Sequence, residues 1–105
     1  MVARAWRGWT APDEADQYER LLRTEILPDM AAQSGEGFRG AEVYRRPAGD
    51  EVAFMTVLRF VSMDAVRQFV GEDPRDAHVP PAARSLLRRF EDKVTHYEVV
   101  VDTHE

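Results

Sequence analysis

The stretch VAFMTVLRF (52–60) limits most strictly what this chain can become. It alternates as a strand should, with Val52, Phe54, Thr56, Leu58 and Phe60 along one side. The opposite side holds Ala53, Met55 and Val57, which are apolar as well. A strand that is apolar on both faces needs cover on both. FRGAEVYRR (38–46) precedes it, and PAGDE (47–51) between them carries Pro47 and Gly49 as turn punctuation. The two strands therefore read as a hairpin.

What flanks the hairpin sets the fold class. VARAWRGW (2–9) reads as a strand, with Ala3, Ala5, Arg7 and Trp9 on one face and Val2, Arg4, Trp6 and Gly8 on the other. Thr10 is placed to cap a following helix, with Pro12 in its first turn and Asp13 and Glu14 near its positive end. Tyr18, Leu22, Ile26 and Met30 recur every four residues, so this helix runs to about residue 32 with that stripe buried. Pro28 inside the pattern predicts a kink or break near residues 24–28. Ser62 caps a second helix over MDAVRQFV (63–70), closed by Gly71. GEDPRDAHVPP (71–81) is irregular and polar, and Ala83, Leu86, Leu87 and Phe90 predict a short third helix. KVTHYEVVV (93–101) is the last strand, and DTHE, with His104, a frayed tail.

The order is strand, helix, hairpin, helix, strand: an α+β, ferredoxin-like βαββαβ domain spanning residues 1–105. Its antiparallel sheet has helices on one face, with an extra short helix before the last strand. The other face is semi-apolar too: Tyr97, Val99 and Val101 on one side of the last strand oppose Val94 and Val100 on the other. The simplest cover for that face is a second copy of the sheet, which predicts a homodimer. The competing reading leaves those valines partly exposed.

Composition removes several classes of function. With no cysteine there is no disulfide, thiol nucleophile or thiolate metal site. A net charge of −5 argues against nucleic acid as a partner. MVARAWRGW has no apolar core of a secretory signal, and no apolar run approaches membrane-spanning length. We therefore expect a soluble cytoplasmic protein with no membrane partner. The three histidines have no paired spacing, so we expect no metal site.

Three segments, ARAWRGWT, FMTVLRFVSMDAVRQFVGED and RFEDKVTHYEVV, resemble the antibiotic biosynthesis monooxygenase family. The resemblance covers nearly the whole chain. It implies a dimeric α+β barrel made by two sheets, with a pocket in each subunit between helices and sheet. It also implies an enzyme of the monooxygenase type that oxidises a bulky aromatic or apolar small molecule without metal or flavin. Two alternatives come with it: a non-catalytic or stress-related barrel that binds a hydrophobic ligand, and a haem-binding or haem-degrading protein. In the haem-degrading branch, an aromatic residue in the second helix and a histidine just past it accompany an asparagine on the first strand. Phe69 and His78 stand near the first two positions. Ala5 stands nearest the third, and the chain contains no asparagine.

For the oxygenase reading, Arg7, Tyr97, His96 and His78 are candidates for pocket polarity, and Trp6, Trp9, Phe54 and Phe69 for its walls. Each has a plainer reading. His78, between acidic residues and two prolines, reads first as a solvated loop residue. His96 reads as a partnered strand histidine. Trp6 and Trp9 point to opposite faces, so they cannot share one pocket. Arg4 and Arg7 should each find a carboxylate, with Glu42 and Glu98 as the strand candidates.

Overall fold

The computed structural model describes residues 1–71 and 73–103. Strand β1 (Val2–Thr10) leads through a 3-10 turn (Pro12–Glu14) into α1 (Ala15–Leu21), a π turn (Leu22–Ile26) and α2 (Leu27–Gln33). The hairpin follows as β2 (Phe38–Ala48) and β3 (Glu51–Phe60), then α3 (Met63–Val70), α4 (Pro81–Arg84), β4 (Leu87–Phe90) and β5 (Thr95–Glu98).

β1 is the spine of an antiparallel sheet. β3 pairs with it from Val2 opposite Phe60 to Thr10 opposite Val52, and β2 pairs outside β3. On its other side the edge is divided, with β4 beside Gly8–Thr10 and β5 beside Val2–Ala5. This is the ferredoxin-like strand order with the final strand in two pieces.

Four sequence expectations need correction. Leu87–Phe90 is strand, not helix: the helix begun at Pro81 stops at Arg84, and Leu87 and Phe90 pair with Thr10 and Gly8. The expected strand over 93–101 is regular only at Thr95–Glu98. Thr10 does not cap the helix. It is the last residue of β1, and Ala11 holds the cap position without a side-chain bond. Pro47 belongs to β2 opposite Val52, so the hairpin turn is tighter than 47–51. His104, read as part of a frayed tail, lies outside the described residues.

The disturbance expected from Pro28 takes a definite form. Proline lacks the N–H that would bond to Thr24, and its ring crowds that carbonyl. The helix widens into a π turn at Leu22–Ile26, which absorbs both faults without breaking the rod. The stripe survives: Tyr18, Leu22 and Ile26 are buried against the sheet. Arg45 ties β2 to α1 through Asp16 at 3.0 Å and Glu19 at 2.9 Å.

α3 begins where expected. The Ser62 hydroxyl accepts from Ala65 N–H at 3.2 Å, and Gly71 ends it at φ 87°, a conformation that favours glycine. The apolar interior forms two clusters. One gathers around Tyr18, Phe54 and Leu87, the other around Leu58, Phe60 and Val66 beneath α3.

The sheet's second face is open in the single chain. Across it run a row of Arg46, Ala53, Trp9 and Arg89 and a row of Tyr44, Met55 and Arg7.

Gly37 marks the closest approach of α3. A Cβ built there would overlap the Cβ of Ala65, while the Gly37 carbonyl holds Val61 N–H at 2.9 Å. We predict that Gly37→Ala destabilises the fold by about 1–3 kcal/mol through overpacking. Denaturant unfolding checks this, and an unchanged midpoint would show that α3 can shift freely.

Candidate functional site

Strand parity decides which residues reach the helix side. Arg4, Trp6, Gly8 and Thr10 of β1 lie beneath the helices, as do Thr56 and Leu58 of β3. Between this floor and the helices is a cavity of about 60 Å³ at the junction of the two core clusters. Tyr18, Leu22, Ile26 and Met30 form its helical wall, so the heptad-like stripe read as core is also a cavity lining. Phe69 of α3 and the 77–80 segment, including His78, close the remaining side. A second, open cleft of about 460 Å³ adjoins it and shares Ile26, Met30, Phe69, His78 and Pro80.

The floor holds the one strong polar feature. Arg4 is only 5% exposed, yet none of its described partners is a carboxylate. Nη1 donates to the Pro74 carbonyl and meets His96 Nε2 at 3.1 Å, and Nη2 donates to the Asp76 carbonyl at 3.0 Å. Burial lowers its pKa to about 10, so it stays cationic at neutral pH. Of its five N–H donors, the one on Nε and one on Nη2 have no partner among the described residues.

Tyr18 is 1% exposed, and burial pushes its phenol up to about 12, so it remains a neutral hydroxyl in the cavity wall. The Trp6 indole N–H donates to the Glu91 carbonyl at 2.7 Å, which directs that N–H to the sheet edge. Phe69 packs on Phe60 with ring centroids 5.6 Å apart. His78 is an exposed loop residue whose Nε2 lies 3.4 Å from the Val70 carbonyl, yet it lines both cavity and cleft. The loop reading and the pocket reading describe the same position.

Of the residues singled out in the sequence, the structure thus brings Trp6, Phe69 and His78 together. Phe54 lies outside the cavity, edge-to-face with Tyr18 at 4.8 Å. His96 sits beyond Arg4 and does not line the cavity. Arg7, Trp9 and Tyr97 are on the opposite face of the sheet. There Arg89 stacks 3.9 Å from the Trp9 ring centroid, and Arg7 pairs with Glu91 at 2.9 Å. The carboxylate expected for Arg7 is therefore Glu91, not Glu42 or Glu98; Glu42 pairs with Arg59 at 3.3 Å. Arg4 and Tyr18 were not foreseen as cavity residues. A charged residue at the same parity as Trp6 on a central strand was the available signal. Among the described residues no cluster of three or more His, Asp or Glu could hold a metal ion. No helix is long and apolar enough to cross a membrane.

No protein-family model matches the sequence, and no curated protein does. Solved structures do. One is a candidate antibiotic biosynthesis monooxygenase from Bacillus cereus, at 12% identity over 100% of this chain and 96% of that one, TM-score 0.68. The chain shares the α+β ferredoxin-like fold of this structure. A form of MhuD with two manganese protoporphyrin IX bound per active site matches at 17% identity over 100% of both chains, TM-score 0.64. SnoaB, a cofactor-independent oxygenase from Streptomyces nogalater, matches at 19% over 99% and 97%, TM-score 0.57. At these identities the likeness carries the fold and no activity.

The Arg4–His96 contact makes a pH prediction. Every arginine nitrogen donates, so His96 Nε2 must accept and carry no proton. Burial first, and the Arg4 charge second, lower the His96 pKa. Below the ordinary imidazole pKa of about 6.5 the unfolded chain binds a proton that the fold refuses. Stability from this group is therefore complete above that pH and is lost as pH falls toward the folded pKa. Thermal melts from neutral to mildly acidic pH should fall more steeply for the native protein than for His96→Gln, and parallel curves would contradict the assignment.

Proposed function

We propose that this protein is a cofactor-independent oxygenase of an electron-rich aromatic small molecule, working in the cavity between α1–α2 and the sheet. The observation that carries this reading is an imidazole, His78, at the mouth of a mostly apolar cavity whose walls include Trp6 and Phe69. The chemistry asks for both parts. A positioned base takes the proton of a ring hydroxyl, and apolar walls keep water from the anion. A ring carbon of that anion then bonds to dioxygen. Loss of water from the hydroperoxide leaves a carbonyl, so one oxygen atom enters the product, the other leaves as water, and no outside reductant is consumed. The reacting ring lies at the mouth beside His78 and Phe69, which line both spaces, with the inner cavity taking one end of the molecule and the adjoining cleft its apolar body.

Haem is a poorer fit. The cavity of about 60 Å³ cannot take a porphyrin without the adjoining cleft, and Ala5, nearest the asparagine of the haem-degrading pattern, points to the opposite face from Arg4. We derive no step through it.

We also propose a homodimer through the open sheet face. Tyr44, Met55 and Tyr97 are exposed there, at 48%, 37% and 58%. Three of the arginines on that face are paired within the chain, Arg7 with Glu91, Arg59 with Glu42 and Asp102, and Arg89 with Glu51. Covering the exposed aromatic and methionine side chains favours association, against the desolvation of these ion pairs.

Two experiments test these readings. Oxygen uptake on a panel of fused-ring phenols, with no metal or flavin added, should be detectable and should fall about 100-fold in His78→Ala, the usual size of a lost general base. Binding of the phenols without oxygen uptake would favour the non-catalytic ligand-binding role instead. Light scattering at micromolar concentration should give twice the chain mass, and Met55→Glu should give the monomer mass; a native monomer would reject the dimer.

A further inference from the structure

We infer that the cavity receives a carboxylate, and that the compound bound there is an aromatic acid. Three observations on Arg4 lead to this. Arg4 is a buried residue of the sheet that lines the cavity. It has no described carboxylate partner, so its charge is met only by carbonyl dipoles and a neutral imidazole. Its Nε–H and one Nη2–H are unmatched. A buried structural arginine normally spends its donors and finds an anion. Arg4 keeps two donors on adjacent nitrogens, and two donors on one planar group suit an acceptor with two oxygens, which is a carboxylate rather than a phenolate.

Size agrees with this assignment. About 60 Å³ suits a small polar head group with a few waters. The ring system then lies toward Phe69, Met30 and the outer cleft of about 460 Å³. Tyr18, held as a neutral phenol, adds a hydroxyl to the same wall without adding a competing negative charge. The Nη1 and Nη2 bonds to Pro74 and Asp76 fix the guanidinium plane in advance, so an arriving acid finds the remaining edge already oriented.

This inference rests on the aromatic-substrate reading, and its test separates the two. Calorimetric titration with 2-naphthoate, 2-naphthamide and 2-naphthol compares one ring system with three head groups. We expect 2-naphthoate to bind at least about tenfold more tightly than the other two, as charge-assisted bidentate pairing implies. In Arg4→Lys, which keeps a cation but loses the planar fork, that preference should shrink to about twofold or less. If the variant does not fold, the head-group ratio on the native protein decides alone. Equal binding of all three overturns the carboxylate inference and leaves the aromatic cavity standing; no binding by any overturns both. Tight acid binding with no oxygen uptake on any phenol sinks the oxygenase and keeps the inference.

Discussion

The buried guanidinium of Arg4 is the interaction on which the site depends. It rises from the central strand and reaches the Pro74 and Asp76 carbonyls, which belong to the irregular segment after α3. That segment has few other anchors. Asp76 bridges to Lys93 by backbone pairing and by a salt bridge at 2.5 Å, and Val94 N–H donates to the Arg75 carbonyl at 2.8 Å. The next residues, 77–80, are the outer wall of the cavity. One side chain therefore sets the position of the wall and supplies the floor. The exposed Lys93–Asp76 pair adds little, because solvent screens surface ion pairs.

The opposite wall depends on how the chain tolerates Pro28. A straight α-helix with a proline at that point would lose a hydrogen bond and bend. The π turn at Leu22–Ile26 inserts the extra width ahead of it, and Leu22 and Ile26 of that turn face the cavity. π turns recur at functional sites because they shift side chains off the regular helical face. Here the shifted residues are apolar, so the turn shapes the space, and the polar groups in the lining include Arg4, Tyr18 and His78.

Much of the fold was legible because it is written in local patterns. The hairpin, the capped helix over 63–70 and the ferredoxin-like order follow from alternation, turn residues and a serine cap. The exception at Ala83, Leu86, Leu87 and Phe90 shows the limit of such patterns. Their spacing suits a helix, but pairing of Leu87 and Phe90 with β1 converts them to strand, and that pairing joins residues more than seventy positions apart. The site was less legible for the same reason. Arg4 was expected to find a side-chain carboxylate, and its acceptors are backbone carbonyls, which no residue pattern displays. The Tyr18–Met30 stripe announced burial, but nothing in it distinguishes a filled core from a lined cavity.

The alternation of β1 ties the two halves of the molecule together. Each of its two rows contains one arginine and one tryptophan, so the sequence alone leaves open which row meets the helices. The neighbours decide it. Arg7 finds Glu91 at the sheet edge, in water, where pairing is easy. Arg4 finds two carbonyls and an imidazole under cover, which hold the guanidinium while it stays charged. Trp6 then closes the cavity, and Trp9 is left on the open face beneath Arg89. A shift of one residue in the β1 register would exchange these roles, placing Arg7 inside without its carboxylate and Arg4 outside without its carbonyls. The register is therefore fixed by two arginines with different requirements, and the same choice separates the face that holds the cavity from the face open to a second copy.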